Sequence, residues 1–507
     1  MTIRRLIYLF IATACLFLQT ACQFEDDGQC ADTINVGDSY ISLTVAVSNG
    51  DTHARTRANT PAGGEDGDGR EAGFERENTV TGITLILYRD DAGINTSENP
   101  VLELVRYFPV TERATGTMPI EVTYTTGSQP LGRHNLNLSA PYHAIVIANA
   151  PGVATSLTEG VSTLSDIKDA TLKTIYAGDP TNSADDCTHF VMSSESDCTI
   201  NFGSVTATNL DGTAHTKGQD MLYDLSNQPL VIERMAARID FWSKNSNGYK
   251  TSDDNAAYTI PGYEYDVTSS TDKFVVTGIV PFNLTNGHAT YGSEYLIKLL
   301  RTDIADASTS TYLADETTTP YVIDPKTDDK LTDTTPSLTS SLGSVYTLIG
   351  DASKLENTSD NPYYHSVASM HGSTTASSTI SEKENVIVCY PMENCLLPES
   401  KLYYHATGIA IIGYYYQNGT GTGVRKVYLS YLRHQGDAEK YDILPSTTPL
   451  SNTATMGTTT PMNFGVVRNN IYRISIESVS SMTFSGSIRI KIEETKWRHV
   501  DNPVIYI

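Results

Sequence analysis

Apolar and polar residues alternate along much of this chain with a period of two. Ile41, Leu43, Val45 and Val47 are separated by Ser42, Thr44 and Ala46. Successive side chains of a strand point to opposite faces, so this spacing predicts a half-buried β-strand. Ile83, Leu85 and Leu87 begin another. Residues 142–148 form a compact apolar run of the sort a strand buried on both faces carries. Strands return at 386–390 and at Gly408–Tyr416. The alternation is clearest at Tyr472, Ile474 and Ile476, and again at Ile488, Ile490 and Ile492. Residues 231–241 are also strand-like, although Glu233, Arg234, Arg238 and Asp240 lie among their apolar positions. Helical spacing is best over 154–176, where Leu157, Val161, Leu164, Ile167 and Ile175 fit one helix or two short ones.

Between these elements the composition changes. Residues 48–78 hold Gly, Pro, Asp, Glu and Arg with almost nothing apolar, which predicts a long exposed loop. Residues 301–384 are rich in Thr, Ser and Asp and read as surface loops or an insertion. The expected architecture is mainly β: an N-terminal domain over 36–228 and a C-terminal domain over 229–507, each burying its alternating faces by sheet-on-sheet packing, with a few short helices.

Charge and chemistry narrow the function classes. The net charge is −24, from 35 basic and 59 acidic residues. With no basic stripe, nucleic acid is not an expected partner. The chain has 30 Tyr and 2 Trp, a mixture that suits strands with one wet face and leaves few indoles for stacking on sugars. There is no Gly-x-Ser-x-Gly elbow, no His-Glu-x-x-His and no phosphate-binding Gly-Lys-Ser/Thr loop. Ser165-Asp166-Ile167-Lys168 has Ser-x-x-Lys spacing without its companion motifs. In Asp66-Gly67-Asp68-Gly69-Arg70-Glu71, Arg70 stands where a calcium loop needs a third Asp or Asn. Asp186-Cys187-Thr188-His189 reads as a loop rather than a metal site. No catalytic residue, metal or cofactor is expected. A carboxylate pair far apart in the chain is beyond what sequence can test.

The N-terminus points to export. Arg4 and Arg5 precede an apolar stretch at 6–18, which is shorter than the about 20 residues a spanning helix needs. Residues 1–21 are therefore read as a signal peptide. Leu18-Gln19-Thr20-Ala21-Cys22 resembles a lipoprotein signal box, with Gln19 where Leu is usual, and Cys22 is the lipidation candidate. The alternative is ordinary secretion with an unmodified Cys22. Residues 22–35 form a tether in which Glu25-Asp26-Asp27 resembles a surface-export signal or serves only as a solvated spacer. In an oxidising exterior, Cys187 with Cys198 and Cys389 with Cys395 are close enough in sequence to close small disulfide loops.

Several segments, taken in order, resemble the fimbrillin family, the subunits of type V pili in Bacteroides-type bacteria. They are Tyr142-His143-Ala144-Ile145-Val146-Ile147-Ala148-Asn149, Phe190-Val191-Met192-Ser193-Ser194 and Ile232-Glu233-Arg234-Met235-Ala236-Ala237-Arg238-Ile239. Tyr390-Pro391-Met392-Glu393-Asn394 and Val466-Val467-Arg468-Asn469-Asn470-Ile471-Tyr472 follow, with Trp497 in the place of a C-terminal Trp. Residues 241–384 carry no resemblance. The family implies two β-sandwich-like, transthyretin-like domains and a lipidated precursor anchored at the outer membrane. It also implies cleavage by an arginine-specific protease after the first strand, and head-to-tail polymerisation with other pilin subunits by strand addition. Carried onto this sequence, the removable strand is 41–47. The cut follows Arg57, or Arg55, with Arg70 and Arg76 as later options. The donor lies in 486–507, with Trp497, Val504, Ile505, Tyr506 and Ile507 as its residues. A monomeric surface lipoprotein that binds glycan or protein through 301–384, or a tip or accessory pilin, is the alternative.

Overall fold

The computed structural model describes residues 39–47, 70–72, 74–89, 99–109, 120–121, 141–168, 177, 187–194, 198–206, 208–209, 212–214, 216, 219, 221–282, 284, 355, 357, 364–370, 385–395, 407–432, 440–443, 465–480, 487–498 and 504–506. Strands dominate them. The first nine are β1 (Ser39–Val47), β2 (Arg70–Ala72), β3 (Gly82–Tyr88), β4 (Leu102–Pro109), β5 (Ile120–Glu121), β6 (Pro141–Ala148), β7 (Met192–Ser194), β8 (Cys198–Asn201) and β9 (Met221–Arg234). Next come β10 (Arg238–Trp242), β11 (Tyr249–Lys250), β12 (Gly262–Asp266), β13 (Lys273–Phe282), β14 (His365–Ser366), β15 (Asn385–Cys389) and β16 (Asn394–Cys395). The last are β17 (Gly408–Tyr416), β18 (Val424–Tyr431), β19 (Lys440–Ile443), β20 (Gly465–Val466), β21 (Asn470–Val479), β22 (Ile488–Arg498) and β23 (Val504–Tyr506). Four short α-helices accompany them: α1 (Glu75–Asn78), α2 (Pro151–Ser156), α3 (Leu164–Lys168) and α4 (Val367–Met370).

The C-terminal half is a sandwich, as the alternation predicts. One sheet runs β15-β10-β21-β22-β19, with β2 added on β22; the other runs β11-β12-β13-β17-β18, with β14 added on β13. Ile239, Phe241, Tyr472, Ile474, Ile476, Ile488 and Ile490 of the first share a core with Tyr263, Phe274, Val276, Ile409, Ile411 and Tyr428 of the second. The intervening residues of the first sheet face the other way. Ile471 packs into the N-terminal core, and Ile387 packs against it. Both faces of β10, β15 and β21 are therefore covered.

The N-terminal half is built on one continuous hydrogen-bonded sheet, ordered β4-β3-β6-β7-β9-β1-β23-β5, rather than on two separate ones. It stays continuous because β7 pairs with β6 at Ile147 and Ala148 and with β9 from Met192↔Arg234 to Ser194↔Ile232, while β8 branches from β6 along Pro141 to Ala144. β3 lies between β4 and β6 and is buried along its whole length.

Three expectations change. First, the expected domain split near 228 falls inside β9, which continues to Arg234. Pairing with β1 jumps from Leu43↔Leu225 to Val45↔Leu230, so 226–229 form a bulge that accommodates Pro229. The chain crosses between sheets at 235–237. Second, the long loop at 48–78 is ordered at its end by β2 and α1, where Glu77 and Asn78 are buried. Third, part of 301–384 belongs to the C-terminal domain: Leu355 and Val367 are buried in its cores, and β14 pairs with β13. Of the region at 154–176, the described residues up to 168 include α2 and α3, two short helices as its spacing allows, parted by a turn at Gly160 with φ +72°.

Ile474 is fully buried in the sandwich, whereas Val161 is 72% exposed. Ile474→Ala should cost about 2–5 kcal/mol, through lost burial and the cavity left behind. Val161→Ala should change stability by less than about 0.5 kcal/mol. Urea unfolding followed by tyrosine fluorescence measures both.

Candidate functional site

The candidate site is the seat of β1. This strand runs parallel to β9, from Ser39↔Met221 to Val47↔Ile232. Its other edge is covered by β23, which runs antiparallel through Thr44↔Tyr506, Val45↔Ile505 and Ala46↔Val504. β23 in turn pairs parallel with β5 through Ile505↔Ile120 and Tyr506↔Glu121. Val45 is fully buried and belongs to the N-terminal core. The first described strand is thus an interior strand, flanked by two strands remote from it in sequence. The next described element, β2, lies in the other domain's sheet and runs parallel to β22, with Glu71 opposite Trp497. Residues 48–69 are therefore the only covalent link between β1 and everything downstream of it.

Just beyond that link, a seam of buried charge joins the domains. α1 has only four residues, too few to be stable by itself. It is fixed from outside by Glu77, whose side chain has no exposed surface. The Glu77 carboxylate accepts hydrogen bonds from the Phe74 amide at 2.8 Å, from Arg238 Nη1 at 3.2 Å and from the Tyr390 hydroxyl. Arg238 also donates Nε and Nη2 to the two oxygens of Asp240, at 2.9 and 2.8 Å. Arg234 donates Nε to the Glu77 carbonyl at 3.1 Å, Nη1 to Asn469 Oδ1 at 2.9 Å and Nη2 to Asn78 Oδ1. Arg468 donates to Glu393 at 2.8 Å and approaches Glu233 at 3.9 Å. Two turns serve the seam by adopting left-handed backbone. Asn469 (φ 59°) aims its side-chain oxygen at Arg234, and Asn149 (φ 59°) donates to the carbonyls of Thr79 and Phe190. Asn tolerates that conformation better than most residues.

Burial and charge act against each other here. Burial lowers the Arg234 pKa to about 10, only partly offset by Glu77. Burial would lower Arg238 too, but Asp240 and Glu77 outweigh it and hold its guanidinium above the ordinary arginine range. Burial, then the Glu77 carboxylate, push the Tyr390 hydroxyl well above the ordinary tyrosine range, so it stays a donor. The arrangement is a structural lock of buried ion pairs and hydrogen bonds.

No family model matches the chain, and no match appears among curated proteins. Solved structures do match. A fimbrilin from Porphyromonas gingivalis has 12% identity and TM-score 0.35, covering 92% of this chain and 100% of that one. The tip fimbrial protein of the same organism, truncated at its C-terminus, has 9% identity and TM-score 0.37, covering 91% and 100%. A fimbrial assembly protein from Parabacteroides distasonis has 12% identity and TM-score 0.29, covering 89% and 95%. At those identities and scores the likeness carries no functional weight.

The site residues expected from the sequence fall in several places. Cys22, Arg55, Arg57 and Ile507 lie outside the described residues. Arg70 is in β2, opposite Lys496. Arg76 is inside α1 beside the buried Glu77, so a cut there requires α1 to unfold. The expected donor residues separate: Trp497 is in β22 of the C-terminal domain, while Val504, Ile505 and Tyr506 form β23 in the N-terminal sheet. Cys187, Cys198 and Cys389 carry no disulfide, so the expected loops to Cys198 and Cys395 are not closed. Cys187 is in the N-terminal core, and Cys198, which begins β8 opposite Ala144, packs against the same core. Among the described residues, no group of three or more His, Cys, Asp or Glu is placed to hold a metal ion. Also among them, no helix is long and apolar enough to cross a membrane. The seam was missed by sequence reasoning. Its signal was present in four charged residues set into the otherwise apolar run at 231–241.

Glu77→Ala leaves Arg238 buried with one carboxylate fewer and should cost about 3–5 kcal/mol. Tyr390→Phe removes one bond to a charged acceptor and should cost about 1.5–3 kcal/mol. Guanidinium unfolding of both variants beside the parent measures the difference.

Proposed function

We propose that this chain is a structural subunit of a surface fimbria. It is exported as a lipoprotein through Cys22 and held at the outer membrane by the lipid. A protease cuts after Arg57, or after Arg55, and frees β1. A C-terminal strand of another copy then takes the vacated place beside β9, and repetition gives a head-to-tail polymer that supports adhesion. Val504, Ile505 and Tyr506 are the donor residues, while Trp497 stays in its own domain.

One observation carries the reading. β1 is an interior strand whose only covalent link to the downstream chain is 48–69, and the strand at its side is Val504–Tyr506. A single cut would convert it from part of the fold into a ligand of the fold. Arg55 and Arg57 lie in that link. The buried seam that starts at Phe74 would keep the new N-terminus fastened after the cut. A second reading has its own support: Val504–Tyr506 already pairs with β1 of the same chain, as it would in a self-contained surface binder or a tip subunit.

The deciding experiment is N-terminal sequencing and intact mass of the protein sheared from cells, together with an unboiled gel. A start at Thr56 or Ala58 with an SDS-resistant ladder is expected, and deleting 504–507 should abolish the ladder. A start at lipidated Cys22 with one monomer band overturns the polymer and leaves the tethered binder.

A further inference from the structure

The segments that flank the crossover at 235–237 each bring a cysteine to the boundary between domains. The Met235 amide donates to the Val191 carbonyl at 2.9 Å, and the Ala237 amide donates to the Pro391 carbonyl at 2.8 Å. Ala236 forms a β-bridge with Met392. The chain around 190 and the chain around 390 are thus laid along the same three residues. Phe190 and Tyr390 meet there, ring centroids 4.8 Å apart and inclined at 61°. Cys389 is the residue before Tyr390, and Cys187 stands just upstream of Phe190. Both are buried, Cys187 in the N-terminal core and Cys389 in the C-terminal one. The Cys389 thiol is pushed up first by burial and next by Cys187. Cys198 is half-buried at the start of β8, packed against the N-terminal core.

We propose that Cys187 and Cys389 form a disulfide that staples the two domains together. The proposal rests on export to an oxidising compartment and is independent of polymerisation. One cysteine thiolate attacks an external disulfide, that of a thiol–disulfide oxidoreductase or of oxidised glutathione, and expels one of its thiolates. The second cysteine thiolate then attacks the protein sulfur of the mixed disulfide and expels the other. The chain loses two electrons and two protons, and the oxidant leaves as two thiols. With both thiols buried in the folded chain, the exchange takes place while the domains are still closing. The bond closes a loop of about 200 residues, and longer loops restrict the unfolded chain more. It also spans the boundary that the buried arginines already hold, so it resists the domains parting when β1 is withdrawn.

The test is to refold the full chain in a reduced and oxidised glutathione buffer and map non-reduced tryptic peptides by mass. A cross-link between the Cys187 and Cys389 peptides is expected. Adding reductant should lower the melting temperature by about 5–10 °C. Cys187→Ala and Cys389→Ala should each remove that response, and Cys198→Ala should keep it. A 187–198 or 389–395 link overturns the proposal. So does full alkylation of both Cys187 and Cys389 in the denatured, unreduced protein. Peptide mapping of the parent chain decides the matter even where a variant fails to fold. A stapled chain that never polymerises would overturn the fimbrial reading and leave the disulfide standing.

Discussion

Glu77 is a carboxylate with no exposed surface, and the two halves of the molecule are joined through it. Moving an ion out of water costs several kcal/mol even after relaxation, so a buried carboxylate survives only with its full set of donors. Here the donors come from three directions: Phe74 at the start of α1, Arg238 at the start of β10 and Tyr390 after β15. None of these can move alone. Replacing any one leaves charge buried and under-solvated, which is a larger loss than the attraction itself. That asymmetry gives the seam its rigidity. Asn149 and Asn469 complete it by satisfying carbonyls and an arginine that no strand reaches.

Rigidity at the seam matters because the neighbouring strand is poorly seated. β1 meets β9 at eight paired positions and β23 at three. At about 1 kcal/mol net for each ladder bond, such a strand contributes on the order of 10 kcal/mol. That is as much as the whole stability of a typical domain. β1 therefore cannot leave without a replacement, because the exposed β9 edge and the gap around Val45 would both face water. Its pairing is nonetheless parallel and interrupted by the bulge at 226–229, and parallel ladders are slightly the weaker kind. A strand that is indispensable yet imperfectly paired is suited to being exchanged rather than lost.

The alternating segments were legible from sequence because one rule governs them. Gly408–Tyr416 is recovered residue for residue, and Tyr472, Ile474 and Ile476 share a core as their spacing requires. What sequence could not supply was how far apart the paired segments lie. Nothing in Ser39–Val47 says that its partners are Met221–Arg234 and Val504–Tyr506. The seam was illegible for another reason. Charged residues at 233, 234, 238 and 240 normally signal a wet face, and only a second domain covering that face makes them interior.

The direction of β23 adds a last step. It lies antiparallel to β1, and β1 lies parallel to β9. A strand that kept β23's direction while taking β1's place would pair antiparallel with β9, exchanging the weaker ladder for the stronger one. Proteolysis would supply the other half of the drive. Before the cut, 48–69 keeps β1 at high effective concentration beside β9; afterwards β1 competes as a separate peptide at its bulk concentration. The fold would thus be held in its closed form by a tether and not by the quality of the strand it holds.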